Sequence, residues 1–124
     1  LCSSRTFCSN KDVETMRRNG LALGGNYSNA LVVDGDKVLS PGGMRYQDEA
    51  VRHKMLDAFG DLALAGAPIL GKYEGHKAGH SITNSLLRKL FSKPDCYVVE
   101  NCCEDVFNLL PGSGVNLDEF TAVA

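Results

Sequence analysis

The sequence predicts an α/β protein of the α+β kind, a two-layer sandwich in which helices cover a small mixed sheet. Two segments, residues 47–65 and 81–92, repeat apolar side chains at helical spacing. Short apolar runs bounded by Gly and Pro alternate with them, as strands do. A chain of 124 residues is long enough for one compact domain with its own core. Because helices and strands alternate, packing them in layers is the natural way to bury their apolar faces.

The chain opens with an extended segment followed by a short helix. Arg5-Thr6-Phe7 has the composition of a strand end. Ser9 or Asn10 can then cap a helix over residues 11–19, and Gly20 follows its end. The glycine-broken stretch after Gly20 excludes a longer regular helix.

A hairpin is predicted next. Two apolar runs at residues 31–33 and 37–39 flank Asp34-Gly35-Asp36, a sequence typical of a tight turn between antiparallel strands. Pro41-Gly42-Gly43 ends this unit.

The longest helix is predicted over residues 47–65 and is stopped by Gly66 and Pro68. Its apolar residues form one stripe, which we expect to face the core. The stripe consists of Val51, Met55, Ala58, Phe59 and Leu62.

The second half of the chain is predicted to hold a strand at residues 69–74, the helix at residues 81–92 and another short strand at residues 96–99. Residues 100–124 give no clear signal and are treated as a weakly specified tail.

Composition excludes several classes of partner. The net charge of −2 and the lack of Trp or of a basic run argue against nucleic acid and membrane surfaces. No apolar stretch approaches the roughly 20 residues that a transmembrane helix needs. Five cysteines without CxxC spacing indicate reduced thiols in a cytoplasmic protein. The first residue is Leu1 rather than Met, from which we expect residues upstream of it.

A column of polar side chains runs along the long helix, opposite the apolar stripe. His53, Asp57 and Asp61 recur every four residues, so they share one side. An imidazole and a carboxylate at this spacing can reach one divalent metal ion such as zinc. The same pattern also occurs on ordinary solvated helix faces, so spacing alone leaves both interpretations open. Ala50 and Leu64 on the same side make it less uniformly polar than a solvent face.

A second candidate lies between the predicted strand and the second long helix. His80 ends the segment GHKAGH at residues 75–80, in which small residues would let a substrate approach closely. A histidine there can act as a general acid or base. It could equally be a helix N-cap residue with no catalytic role.

Several separated motifs, in one order, resemble a known family. The run VRHKMLDAFGDL at residues 51–62 resembles the zinc-ligand helix of the UDP-3-O-acyl-N-acetylglucosamine deacetylases, enzymes of lipid A synthesis. The resemblance extends over about residues 5–84, and it fades in the last two dozen residues. The other matching motifs are RTF at residues 5–7, GL at 20–21, GG at 24–25, RY at 45–46 and KAGH at 77–80.

This resemblance implies catalytic roles for five residues. His53 and Asp57 match two of the three zinc ligands of the family. His80 matches the catalytic histidine, and Asp61 matches the carboxylate that orients it. Thr6 matches the residue that hydrogen-bonds the developing oxyanion. The third zinc ligand and the general-base glutamate belong to the family's N-terminal half.

The resemblance also implies a substrate-binding set. Phe7 matches an aromatic contact to substrate, and Lys54 and Lys77 match positions near the nucleotide diphosphate. A small βαβ insert, about residues 10–40, would form a passage for the fatty acyl chain. Ser9 departs from the bulky apolar residue common in that passage, so the preferred acyl length does not follow from the resemblance. The residues that match the insert are Val13, Ala22, Gly25, Asn26, Tyr27 and Val32.

The implied protein is a two-domain deacetylase that uses Zn²⁺, of which this chain would be the C-terminal domain. Its partners would be the UDP-sugar substrate and the N-terminal domain of the same enzyme. The chain alone would be inactive. An alternative is a non-catalytic module that binds a nucleotide sugar or an acyl chain, and a structural domain with a coincidental His-Asp-Asp column is a further one.

Overall fold

The computed structural model describes residues 1–110 and 113–114 of the chain. It divides into two units, the first from Leu1 to Gly60 and the second from Asp61 onward. Helices and a small mixed sheet confirm the predicted α+β class.

The first unit is built on a three-stranded sheet in the order β1-β2-β3. Strand β1 (Thr6–Ser9) leads into helix α1 (Asn10–Arg18), which crosses over to β2 (Ala30–Asp34). β1 and β2 run parallel, so the βαβ arrangement implied by the resemblance is present. β2 is the central strand, and its apolar residues Ala30, Leu31 and Val32 are the buried core of the unit.

The predicted hairpin is confirmed. β2 pairs antiparallel with β3 (Lys37–Val38), and Asp34 pairs with Lys37, which leaves a two-residue loop. Gly35 in that loop has φ +58°, a conformation that L-residues with a Cβ rarely adopt. The short helix also ends as predicted, because Gly20 follows it with φ +73°.

The long helix, α2 (Glu49–Leu62), continues into a single 3₁₀ turn at Ala63–Ala65. Gly66 ends the turn with φ +81°. The boundaries agree with the predicted helix to within two residues at its start.

The prediction that the apolar stripe of α2 faces a core is wrong for three of its five residues, whereas Ala58 and Leu62 are half-buried. Val51, Met55 and Phe59 are exposed, Phe59 to 71% of its surface. The side chains of His53 and Asp57, by contrast, are only 18% and 27% exposed. Amphipathic periodicity identifies two faces of a helix, but packing partners decide which face is buried.

The second unit contains α3 (His80–Phe91), a 3₁₀ turn at Pro94–Cys96 and α4 (Glu104–Phe107). Leu87 and Thr83 are the buried residues of α3, and Phe91 packs edge-to-face against Tyr97 at 5.3 Å between ring centroids. The 81–92 helix is thus confirmed, and α4 lies where no element was predicted.

Both strands predicted for this unit are wrong, since neither residues 69–74 nor residues 96–99 form a β ladder in the described part of the chain. A strand needs a neighbour for its N–H and C=O groups, which composition does not reveal. Of the predicted tail, residues 111–112 and 115–124 lie outside the described residues. Among the helices described here, none is long and apolar enough to cross a membrane.

Candidate active site

A buried ion pair fixes the start of α2 against the residues before β1. Arg5 donates from Nε to Oε1 of Glu49 (2.8 Å) and from Nη2 to Oε2 (3.0 Å), a two-pronged contact. The backbone N–H groups of Arg5 and Arg45 donate to the same carboxylate. The side chains are 5% and 0% exposed. The hydrogen bonds from Arg5 lower the pKa of Glu49 to about 2, and the pKa of Arg5 is raised in turn.

His53 lies one turn after Glu49, and both of its ring nitrogens have partners. Nδ1 lies 3.1 Å from the carbonyl oxygen of Ser4. A carbonyl can only accept, so Nδ1 carries the proton and donates it. Nε2 lies 3.4 Å from Oδ1 of Asp57. When the ring is neutral, a nitrogen lone pair and a carboxylate therefore face each other at this half-buried position.

These two donors suit a divalent metal ion. A neutral imidazole and a carboxylate, four residues apart on a helix, have the chemistry and the spacing that two ligands of one zinc ion need. Metal-bound histidines usually donate their other N–H to a carbonyl or carboxylate, as His53 does to Ser4. Within residues 1–110 and 113–114, no group of three or more His, Cys, Asp or Glu side chains could hold a metal ion. The described residues thus offer a pair of ligands.

Phe7 and Lys54 lie beside His53. The Phe7 ring contacts the imidazole edge-to-face, with 6.5 Å between centroids. Nζ of Lys54 lies 5.8 Å from the centroid of the same ring, within cation–π range. Thr6, the predicted oxyanion donor, is the first residue of β1 and is exposed.

The βαβ unit encloses a cavity of about 100 Å³. Five of the six residues predicted for the acyl passage line this cavity, and Tyr27 is the one that does not. Ala22 has φ +53°, and its carbonyl accepts the N–H of Gly25 at 2.9 Å. A Cβ at position 25 would lie 3.0 Å from that carbonyl oxygen, so glycine suits this turn. The five passage residues that line the cavity are Val13, Ala22, Gly25, Asn26 and Val32, and Thr6 and Phe7, which were predicted for other roles, line it as well.

Sequence reasoning missed other parts of this unit. Cys8, Met16, Arg17 and Ala30 also line the cavity. Met16 follows Val13 by three residues on α1, so helical periodicity could have found it. Nothing in the sequence distinguished the buried Glu49 from an ordinary acidic residue in a first helical turn.

In the second unit, His80 and Asp61 form a pair. Nδ1 of His80 lies 2.9 and 3.0 Å from the two carboxylate oxygens of Asp61. An ionised carboxylate only accepts, so Nδ1–H donates and Nε2 is the nitrogen that can exchange a proton. The N-cap alternative for His80 is wrong: Gly79 occupies the N-cap, and His80 is the first helical residue of α3. Lys77, in the preceding loop, is exposed and has φ +51°.

A model of the UDP-3-O-acyl N-acetylglycosamine deacetylase family matches residues 1–92. This segment includes the His53–Asp57 pair, the His80–Asp61 pair and the βαβ unit.

The chain belongs to this family.

Individual deacetylases agree with the family match. The chain is 49% identical over 106 residues to the UDP-3-O-acyl-N-acetylglucosamine deacetylase of Phenylobacterium zucineum (strain HLK1), covering 86% of the chain and 36% of that protein. It is 54% identical over 94 residues to the deacetylase of Acidithiobacillus ferrooxidans (strain ATCC 53993 / BNL-5-31), covering 76% and 31%. It is 50% identical over 97 residues to that of Neisseria meningitidis (strain DSM 15465 / Z2491), covering 78% and 32%. The chain thus spans about a third of the length of these deacetylases.

Proposed function

We propose that this chain is the carboxyl-terminal part of a zinc-dependent deacetylase. The full-length enzyme would hydrolyse the N-acetyl group of UDP-3-O-acyl-N-acetylglucosamine, the committed step of lipid A synthesis. The observation that carries the proposal is the His53–Asp57 pair, two half-buried metal donors within the segment that matches the deacetylase family.

In this proposal His53, through Nε2, and Asp57, through its carboxylate, hold the zinc ion. A catalytic zinc site typically uses three protein ligands, so the third would come from elsewhere in the full-length enzyme. The chemistry that zinc supplies when bound is polarisation of an amide carbonyl and a lower pKa for an attacking water molecule. The Ser4 carbonyl keeps the proton of His53 on Nδ1 and so leaves Nε2 available as a ligand.

His80 would supply the proton that the reaction needs. Hydrolysis joins a water oxygen to the acetyl carbon, and one proton of that water would pass to the general-base glutamate that the resemblance assigns to the N-terminal half of the enzyme. The carbon–nitrogen bond breaks and leaves an amine that must be protonated. His80 can give that proton from Nε2, because Asp61 accepts from Nδ1 and stabilises the protonated ring.

The remaining predicted residues would bind the oxyanion, the diphosphate and the acyl chain of the substrate. The Thr6 hydroxyl would donate to the oxyanion that develops on the acetyl oxygen. Lys54 and Lys77 would pair with the diphosphate as point charges. The cavity of the βαβ unit, with its mostly apolar lining, would take the fatty acyl chain.

The cytoplasm is the compartment we propose. The proposal rests on the five cysteines, which lack CxxC spacing and suit a compartment where glutathione and thioredoxin keep thiols reduced.

The test is acetate release by the full-length protein, loaded with zinc, from UDP-3-O-acyl-N-acetylglucosamine. We expect His53→Gln and Asp57→Asn to lose zinc and activity together, and His80→Ala to keep zinc while losing activity. A chimera in which this chain replaces the matched third of the Neisseria meningitidis deacetylase should release acetate as well. Binding of the UDP-sugar without any acetate release, by both the full-length protein and the chimera, would instead support a non-catalytic binding module.

A further inference from the structure

The three residues before β1, residues 3–5, are hydrogen-bonded to Glu49 at the start of α2 and to the loop that precedes α2. Nη1 of Arg45 donates to the Ser3 carbonyl at 2.6 Å. Nη2 of Arg5 donates to the Gly43 carbonyl at 2.6 Å, in addition to its contact with Glu49. Residues 3–5 therefore cannot slide along α2 without breaking several buried or half-buried hydrogen bonds.

The result of this arrangement is a fixed position for one carbonyl. Ser4 lies between the two anchored residues, and its carbonyl accepts the Nδ1–H of His53. A backbone N–H of Arg5 ends on the Glu49 carboxylate, so the Ser4–Arg5 peptide unit itself is attached to α2 at one end by Glu49 and at the other by His53. The orientation of the imidazole thus depends on where this peptide lies.

Glu49 is an expensive residue to bury, which calls for an explanation. A fully buried carboxylate is tolerated only when its oxygens are hydrogen-bonded and its charge is paired. Glu49 meets this requirement with the Arg5 guanidinium and two backbone N–H groups. Buried ion pairs are poor sources of stability compared with apolar side chains, but they can fix one geometry against others.

We propose that Arg5 and Glu49 are positioning residues for the metal ligand His53: they hold the Ser4 carbonyl where it binds Nδ1–H and directs Nε2 towards Asp57. This inference rests on the proposed function for the identity of the ligand, but the hydrogen bond that it concerns exists without metal. Neither Arg5 nor Glu49 touches the ligand atom Nε2 in this arrangement, and their effect is transmitted through one peptide unit.

Arg5→Lys in the full-length protein is the test. Lysine keeps the positive charge and the backbone N–H. It lacks the planar guanidinium that donates to the Glu49 carboxylate and the Gly43 carbonyl at the same time. In the metal-free protein, NMR should show faster solvent exchange of the His53 Nδ1–H, a resonance assigned by its absence in His53→Gln. In the zinc titration, the Kd should rise by about tenfold, the lower end of what loss of a supporting partner usually costs. Glu49→Gln should produce a larger change in both, and Arg5→Lys carries the test alone where that variant does not fold.

Asp48→Asn is the matched control. Asp48 precedes Glu49 and forms an exposed ion pair with Arg52, so its loss should change neither the exchange rate nor the zinc Kd. Wild-type exchange and wild-type Kd in a folded Arg5→Lys variant would overturn the proposal, and so would equal effects in Asp48→Asn. A wild-type protein that binds no zinc would refute the proposed function, whereas the exchange comparison in metal-free protein would still decide the positioning role.

Discussion

Replacing Glu49 by glutamine removes the negative charge from the buried Arg5–Glu49 pair and leaves the volume of the side chain almost unchanged. The pKa of Glu49 falls from its ordinary 4.5 to about 2 on folding because Arg5 donates to the ionised form. A shift of this size corresponds to about 3 kcal/mol of folding free energy, at about 1.4 kcal/mol per pKa unit. The glutamine amide N–H₂ would also face the N–H donors of Arg5 and Arg45, to which it cannot hydrogen-bond. We therefore expect Glu49→Gln to lose this whole contribution to the folding free energy near neutral pH.

The pH dependence gives this prediction its sign. A carboxyl group whose pKa is lowered on folding contributes its stability above the unfolded pKa and loses it as pH falls through the folded value. The difference between wild type and Glu49→Gln should therefore be about 3 kcal/mol near pH 7 and shrink to about 1 kcal/mol near pH 3. Native-state hydrogen exchange of the β2 amides in the full-length protein measures it, because these amides belong to the buried core of the first unit.

A stability difference between wild type and Glu49→Gln that is the same at pH 7 and pH 3 would refute the reasoning. It would show that the variant does not lose the contribution of the Glu49 charge. Asp48→Asn is again the control. Both side chains of the Asp48–Arg52 ion pair are exposed, so removing the pair should change the hydrogen-exchange rates of the β2 amides little at either pH.

Three further predictions concern the chemistry of the full-length enzyme and of this chain. Asp57→Asn should reduce zinc retention, whereas Asp61→Asn should keep zinc and lower kcat; metal analysis and steady-state kinetics separate the two. The 124-residue chain alone should bind zinc weakly in calorimetry, because its described residues offer a pair of protein ligands where catalytic sites typically use three. Val13→Phe should fill part of the cavity and lower kcat/KM for long acyl chains more than for short ones.

Each of these has a contrary outcome. Zinc loss from Asp61→Asn with zinc retained by Asp57→Asn would exchange the two assignments. Sub-micromolar, stoichiometric zinc binding by the isolated chain would contradict the two-ligand interpretation, and loss of that binding on mutating Cys102 and Cys103 would trace it to thiols. An equal effect of Val13→Phe on all acyl lengths would indicate that the acyl chain does not enter the cavity.

Local features of the first unit were predictable because short-range physics sets them. The hairpin follows from a glycine between two apolar runs, and the end of α1 from Gly20, where a left-handed residue terminates a helix. The pairing of His53 with Asp57 also follows from sequence, since a four-residue interval on any helix brings two side chains together.

Errors occurred where the answer depended on residues distant in sequence. The runs at residues 69–74 and 96–99 have the composition of strands, but no ladder forms there in the described part of the chain. The stripe of Val51, Met55 and Phe59 was expected to face a core, and it is exposed. In both cases the sequence carries the local preference, and the presence or absence of a packing partner decides the result.

The sequence by itself determined the family, the α+β class and the residue types that can bind zinc or move a proton. Only the tertiary structure decided that Glu49 is buried, that Arg5 reaches it across 44 positions of the chain, and that the Ser4 carbonyl accepts from His53. The physical reason is that spacing along a helix fixes neighbours four residues apart. A hydrogen bond between distant segments exists only once the chain has folded and water has been excluded from its partners.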